Sequence, residues 1–214
     1  MAVLNGFYYS GIHEAFSKYG DKAKNNCYQL SKILYDEFGF TTSACAAVAA
    51  CIPYESSWNP QRIQGTSSYG DWYNVGYGLI QWTNTTDNTR ENNKLMSYTD
   101  TYGSVWYDGQ MQARLIGHEC TDQVDWNATS AGISVSDFVA IGYQEDAWQI
   151  YAKGRRVYGP LNNADQAAQS YINYYNYLTA GDFPDTPGDD TSGGDNEGGF
   201  DYVFWKLLFP GYIQ

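Results

Sequence analysis

The fold of this chain is decided by residues 44–60, which read ACAAVAACIPYESSWNP. The first nine of these residues are small or apolar on every side, which predicts a helix that other parts of a domain surround. We expect this helix to run from Ala44 to about Tyr54, with Thr42 or Ser43 as its N-cap. A single acidic residue, Glu55, follows the apolar run between two aromatic residues.

A second motif follows about twenty residues later, at residues 76–83, and reads GYGLIQWT. Its glycines allow a ligand to approach the backbone closely, and its amide and aromatic side chains suit sugar rings and N-acetyl groups. A carboxyl group in an apolar pocket, as expected for Glu55, keeps its proton near neutral pH and can protonate a glycosidic oxygen. The two motifs together therefore indicate chemistry on a glycan.

The two motifs resemble the phage tail lysozyme family, the muramidase domain of tail-tip proteins with which short-tailed phages of Gram-positive hosts degrade the cell wall. The resemblance covers residues 24–178 and is most specific in residues 44–83. It departs from the family pattern at Pro53, which precedes the acid, and at residues 143–146, which echo a later family segment only loosely. The resemblance implies an α+β, mainly α, lysozyme-like fold with a small extended lobe beside the active-site cleft.

The activity that the resemblance implies is glycoside hydrolysis of peptidoglycan, at the β-1,4 bond between N-acetylmuramic acid and N-acetylglucosamine. Glu55 matches the catalytic acid of the family. The second catalytic group is left open, and Asp71, in the loop before the glycine motif, is preferred over Asp87 and Glu119. Asp87 resembles a helix N-cap, Glu119 a helix-face residue, and a single-acid mechanism would leave Gln81 to hold a water or an N-acetyl group.

The expected substrate contacts come from both motifs. For the aromatic members the alternative is packing in the core, and for the glycine it is a plain turn. No cofactor or metal is expected. The predicted substrate-binding residues are Trp58, Tyr77, Gly78, Gln81 and Trp82.

Other functions remain as alternatives. A lytic transglycosylase would use the same acid but close a 1,6-anhydro ring, and a structural tail component would keep only the lysozyme-like fold. A Cys/His peptidase built on Cys27 and His118 is disfavoured, because Cys27 lacks suitable flanking residues and His118 lies inside a helical pattern. No Gly-x-Ser-x-Gly elbow is present for a serine triad.

Composition excludes several classes of partner and site. The net charge of −12 offers no electrostatic footprint for nucleic acid and no steering toward an anionic wall. No Cys-x-x-Cys pair occurs, so a zinc site is not expected and the thiols are predicted to be free and buried. These thiols belong to Cys27, Cys45, Cys51 and Cys120.

The domain organisation follows from a change of composition near residue 180. We expect a glycosidase domain at residues 1–180, an acidic Gly/Asp/Pro linker at 181–199 and an apolar anchor segment at 200–214. The anchor is predicted to bind another phage tail protein, which would place the enzyme at the virion tail tip. Residues 1–20 lack a basic start and an apolar core, so no signal peptide is expected, and stable membrane insertion is not expected either.

The remaining helices are predicted from apolar periodicity and end signals, with Gly159-Pro160 as a break between the last two. The predicted ranges are 25–38, 88–98, 108–120, 134–151 and 164–178.

Overall fold

The computed structural model describes residues 1–121 and 125–181, and it has the predicted α+β, mainly α, lysozyme-like fold. Two small antiparallel sheets accompany the helices. The strands are β1 (Ala2–Leu4), β2 (Phe7–Tyr9), β3 (Gly76–Tyr77) and β4 (Trp82–Thr83). The helices are α1 (Asp21–Phe38), α2 (Thr42–Glu55), α3 (Lys94–Thr101), α4 (Gly109–Thr121), α5 (Ala128–Ala131), α6 (Val135–Val139), α7 (Ala147–Arg155), α8 (Tyr158–Leu161) and α9 (Ala164–Ala180).

Helix α2 lies at the centre of the domain, as its composition predicts. Every residue from Thr42 to Ile52 is buried, and α1, α7, α8 and α9 pack around the helix. Its alanines let these neighbours approach closely, since they have little side chain to accommodate. The N-cap is Thr41, one residue before the first predicted cap, Thr42, and its side chain accepts the backbone N–H of Ala44 at 3.1 Å.

Two of the helix predictions need correction. The region 134–151 forms two helices, α6 and α7, and the chain between them leaves helical geometry at residues 140–146. The predicted helix 88–98 begins only at Lys94, where the Asn93 side chain caps it by accepting from Leu95 and Met96. Helix α7 begins after Asp146 without a side-chain cap, whereas the Asn93 cap sets the later start of α3.

The N-terminal β-hairpin was not predicted. Asn5 and Gly6 form its two-residue turn, with φ of 49° and 82°, a conformation that suits this pair of residues. Phe7 at the start of β2 is buried against α4, where a Cβ on Gly109 would lie 2.3 Å from the Phe7 ring. The side-chain amide of Asn26 pairs with the backbone of Tyr8, donating to its carbonyl at 2.8 Å and accepting its N–H at 2.7 Å.

A small extended lobe follows α2, as predicted. Ile63 pairs with Tyr77 of β3, and β3 pairs in turn with β4. The buried amide of Gln112 on α4 fastens this lobe to the helices, since it donates to the carbonyl of Pro60 at 2.8 Å and accepts the N–H of Leu79 at 2.7 Å. The two motifs of the sequence thereby meet in one lobe.

The predicted linker 181–199 and anchor segment 200–214 lie outside the described residues, apart from Gly181, which caps α9. In the ranges that the structure describes, none of the helices combines the length and the apolar character needed to cross a bilayer. The four cysteine thiols are buried and unbonded, as expected.

Candidate functional site

Glu55 is the last residue of the buried helix α2. Pro53 lies inside this helix without ending it, so the departure from the family pattern leaves the position of the acid on the helix intact. Immediately after the acid, Ser57 and Trp58 adopt left-handed conformations with φ of 50° and 64°. This conformation costs a non-glycine residue roughly 1–2 kcal/mol, so other contacts must hold the turn.

Those contacts come from buried polar side chains. The indole N–H of Trp58 donates to the Tyr174 hydroxyl at 2.6 Å, and Asn26 donates its amide N–H to the Trp58 carbonyl at 2.9 Å. Asn59 donates to the carbonyls of Gly11 and Glu14 at 3.0 and 2.9 Å. Residues of the Glu-Ser-Ser-Trp-Asn motif therefore fix the direction in which the chain leaves the acid.

The Glu55 carboxyl is partly buried and accepts one hydrogen bond, from the backbone N–H of Gly159 at 2.8 Å. In the described part of the chain, Glu55 has no ion-pair partner. Burial raises the pKa of Glu55 to about 7, and the Gly159 N–H opposes that shift only in part. A carboxyl with this pKa holds a transferable proton near neutral pH.

Gly159 is the residue of this site that the sequence reading missed. The sequence predicts a break at Gly159-Pro160, and the pair lies in the short helix α8, between α7 and α9, where α8 packs against α2. A Cβ at position 159 would lie 2.4 Å from Glu55 Oε1 and 2.7 Å from the Tyr54 carbonyl oxygen. Only glycine leaves room for the carboxyl, and no local pattern in the sequence signals this contact.

The predicted sugar contacts outside Glu55 are mostly interior. Trp58, Tyr77 and Gly78 are buried, and Trp82 is 5% exposed. A Cβ on Gly78 would lie 2.7 Å from Gln112 Oε1, so this glycine serves packing, and it has φ of 76°. Contact between these four residues and a glycan stays a prediction, and it would require the buried rings and the Gly78 backbone to become accessible.

Among the predicted substrate contacts, Gln81 is the one that is not buried. Its φ is 58°, and its side-chain amide folds back to donate to the Gly78 carbonyl at 2.7 Å. A Cβ on Gly76 would lie 2.9 Å from its amide oxygen, which explains the first glycine of the motif. Gln81 thus closes the hairpin turn at the surface of the small lobe.

Asp71 and Asp87 line one open groove of about 630 Å³ in the small lobe, and Glu55 does not line it. Asp71 is exposed, accepts the N–H of Ser68 at 2.8 Å, and its carbonyl accepts the Tyr77 hydroxyl at 3.0 Å. Asp87 caps no helix; instead it organises its own loop through Thr89 and Asn92. Hydrogen bonds from these two residues lower the pKa of Asp87 to about 2, so it is a loop-forming carboxylate.

Glu119 is buried on α4 and belongs to an ion cluster. Arg155 donates to it at 2.6 Å, and the Trp82 indole N–H lies 3.2 and 3.1 Å from its two oxygens. Lys94 and Asp125 extend the cluster. Burial raises the pKa of Glu119, and the Arg155 guanidinium in direct contact opposes that rise. It therefore ties the small lobe to the helices.

Residues 25–182 match the description "phage tail lysozyme" among protein families, and they include Glu55, Gln81 and Gly159. The chain belongs to the phage tail lysozyme family. This match confirms the resemblance inferred from the two motifs, and it groups the chain with lysozyme-like phage proteins. A search of curated proteins gave no match.

The surroundings of Cys27 and His118 do not suit the catalytic dyad of a cysteine peptidase. Cys27 is fully buried, and burial raises the pKa of its thiol well above the ordinary value. His118 packs against the rings of Phe38 and Tyr98. In the described ranges, no group of three or more His, Cys, Asp or Glu side chains is arranged to hold a metal ion.

Exposed aromatic rings are present in the small lobe, but they are not those of the predicted substrate contacts. Tyr69 and Tyr73 are each 51% exposed. The Tyr69 ring lies edge-on to Trp72, which stacks on buried Tyr77 with ring centres 5.2 Å apart. The buried Tyr77 of the Gly-Tyr-Gly segment thus packs beneath Trp72 and the exposed Tyr69.

Proposed function

We propose that this protein is a muramidase that cleaves the β-1,4 bond between N-acetylmuramic acid and N-acetylglucosamine, with Glu55 as the general acid. The observation that carries the proposal is the Glu55 carboxyl itself. It is partly buried at the end of an apolar helix, its pKa is raised to about 7, and none of the described cations forms an ion pair with it. Membership of the phage tail lysozyme family supports peptidoglycan as the substrate.

In the proposed reaction, Glu55 gives its proton to the bridging oxygen, which stays with N-acetylglucosamine as a hydroxyl. The bond from that oxygen to C1 of N-acetylmuramic acid breaks, and positive charge develops at C1. A water then adds at C1, and its proton passes to the Glu55 carboxylate, which restores the acid. The N–H of Gly159 binds Oε1, which leaves Oε2 to carry the transferable proton. The same N–H then stabilises the carboxylate after proton transfer.

We assign the second carboxylate to Asp71, which would stabilise the charge at C1 or polarise the water. Its exposed side chain and its place on the groove of the small lobe support this role. The backbone around it is anchored by the buried Tyr77 hydroxyl, which suits a residue that must hold its position. Gln81, partly exposed at the hairpin turn, is the proposed contact for an N-acetyl group.

A lytic transglycosylase is the second candidate, because no carboxylate is among the groups that perturb Glu55. In that reaction the hydroxyl at C6 of N-acetylmuramic acid attacks C1 and no water enters. Mass spectrometry of the products separates the two reactions: hydrolysis gives reducing ends, and cyclisation gives 1,6-anhydro ends.

The test of the proposed function is digestion of purified Gram-positive peptidoglycan by the full chain, with Glu55→Gln in parallel. We expect wild-type protein to release muropeptides with newly formed glycan ends and the variant to release almost none. Absence of glycan cleavage by folded wild-type protein would refute the enzyme and favour a structural tail component.

We further propose that residues 200–214 attach the enzyme to another protein of the virion tail. Apolar residues at helical spacing after the acidic stretch 181–199 support this, and such attachment would replace the electrostatic attraction that a net charge of −12 cannot supply. Deleting residues 200–214 should preserve cleavage of isolated peptidoglycan and prevent incorporation into virions. Loss of soluble activity would instead make the segment part of the catalytic domain.

A further inference from the structure

A second groove lies between α5, α7 and α8. It encloses about 200 Å³, and its lining includes Lys153, Arg156 and Tyr158 together with the polar residues Asn127 and Ser130. We name it the basic groove. Neither the catalytic proposal nor the sequence motifs make use of it.

The basic groove is joined to the catalytic acid through the backbone. Tyr158 lines the groove, and the next residue, Gly159, donates its N–H to Glu55 at 2.8 Å. Consecutive Cα atoms are about 3.8 Å apart, so a residue of the groove lining directly precedes the residue that donates to the acid. The groove and the acid are therefore connected through the Tyr158–Gly159 peptide bond.

The charge of the basic groove differs from that of the rest of the chain. In the described ranges, neither Lys153 nor Arg156 has an ion-pair partner, although the whole chain carries a net charge of −12. Five other described basic residues pair with carboxylates: Lys32, Arg90, Lys94, Arg114 and Arg155. Among the described residues, Lys18, Lys22, Lys24 and Arg62 also lack an ion pair, so what distinguishes Lys153 and Arg156 is that both line one groove. Two cations without acidic partners in one groove leave a site for an anion of the substrate.

The shape of the groove favours an anionic sugar substituent. Arg156 caps α7 in a left-handed conformation with φ of 56°, which is unusual for a residue with a long side chain. Tyr158 is 66% exposed, so its ring offers an apolar face beside the two cations. A guanidinium, an ammonium and an aromatic ring together match a carboxylate attached to a sugar or a short peptide.

We propose that the basic groove binds a carboxylate of N-acetylmuramic acid or of its stem peptide, next to the bond that is cut. This proposal rests on the muramidase function and names the part of the substrate that would distinguish peptidoglycan from chitin, whose N-acetylglucosamine units carry no carboxylate. The lactyl group of N-acetylmuramic acid and the stem peptide are two sources of the same chemistry. The groove thus selects for the muramic acid side of the glycan.

The test compares full-length wild-type protein with Lys153→Gln/Arg156→Gln on three substrates. These are peptidoglycan strands with stem peptides, strands from which an amidase has removed the peptides, and an N-acetylglucosamine hexamer. The matched control is Lys22→Gln/Lys24→Gln, which removes the same charge from α1, outside the groove lining. We expect kcat/KM of the groove variant to fall about tenfold on the carboxylated strands, mainly through KM, and to stay unchanged on the hexamer.

The pattern of losses identifies the carboxylate. A loss confined to peptide-bearing strands assigns the groove to the stem peptide, and a loss on peptide-free strands as well assigns it to the lactyl group. Equal losses on all three substrates, no loss on any of them, or the same loss in the control would overturn the proposal.

A binding measurement separates failure of this proposal from failure of the muramidase function. A soluble disaccharide muropeptide is titrated into Glu55→Gln, with and without the groove substitutions, and amide chemical shifts are followed by NMR. Binding that requires Lys153 and Arg156 would support the groove even if glycan cleavage were absent. Identical binding with and without these residues would refute the groove even in an active muramidase.

Discussion

Glu55 and Glu119 are both shielded from water, yet their surroundings give them opposite roles. Glu119 contacts the Arg155 guanidinium at 2.6 Å and the Trp82 indole N–H, so its negative charge is compensated. Glu55 has one backbone N–H and no cation among the described residues, and burial raises its pKa to about 7. The comparison shows that burial alone does not mark a catalytic acid; what matters is whether the protein supplies a partner for the charge.

The largest effect is expected at the paired acid. Glu119→Gln should lower the free energy of unfolding by about 3–5 kcal/mol, because it leaves the buried Arg155 guanidinium uncompensated. Urea unfolding measures this directly. The control Asp36→Asn removes the exposed partner of Lys32 and should change stability by less than about 1 kcal/mol. A Glu119→Gln loss no larger than that of the control would contradict the structural role of the cluster.

At the unpaired acid, activity should fall while stability does not. Glu55→Gln keeps an oxygen to accept the Gly159 N–H but removes the transferable proton, so the rate of wall cleavage should fall by about 10² or more. Turbidity clearance of Gram-positive cell walls provides the rate. Clearance within a few-fold of wild type would remove Glu55 from the mechanism.

The stability of the same variant should depend on pH in a definite direction. The pKa of Glu55 in the folded protein is about 7, above its ordinary value, so protonated Glu55 stabilises the fold at low pH and this contribution is lost as pH rises through 7. Glutamine does not titrate. Between pH 5 and pH 8, Glu55→Gln should therefore gain on the order of 1–3 kcal/mol relative to wild type. Thermal unfolding at the two pH values checks the sign.

A smaller effect is expected at the residue that holds the acid. Gly159→Ala places a Cβ 2.4 Å from Glu55 Oε1 and must displace the carboxyl, so we expect a roughly tenfold loss of rate. The alkaline limb of the pH–rate profile should also move upward as the N–H bond weakens. Gly142→Ala is the matched control, because a Cβ there meets nothing within 4 Å. Equal behaviour of the two variants would show that Gly159 does not position the acid.

The smallest effect is expected for Asp71→Asn. The exposed Asp71 side chain is proposed to stabilise the charge at C1 or to polarise the water. We expect a loss of several-fold or more in kcat with little change in unfolding, measured on purified peptidoglycan. An unchanged rate would contradict the assignment of Asp71 as the second catalytic group and would favour a water held near Gln81.

The sequence predicts the part of the fold that rests on local chemistry. The buried helix α2, its acid and the last helix α9 follow from composition, periodicity and the Glu-Ser-Ser-Trp-Asn motif. The Asn5-Gly6 pair is also a local signal, because Asn-Gly is typical of a two-residue hairpin turn, but the hairpin is not among the predicted elements. Gly159 could not be found in this way, because its role depends on a contact with a residue 104 positions away. The interior places of Trp58 and Trp82 likewise depend on partners, Tyr174 and Glu119, that no local pattern identifies.

The central claim is that Glu55 is a protonated carboxyl near neutral pH, and NMR titration of the side-chain carboxyl carbons tests it most directly. Glutamate-labelled wild-type protein is followed from pH 4 to pH 9, and Glu55→Gln assigns the resonance. The account predicts a midpoint of about 7 for Glu55, against an ordinary value of 4.5. A midpoint at the ordinary value would contradict it, because the carboxyl would then have lost its proton before the pH at which it is proposed to act.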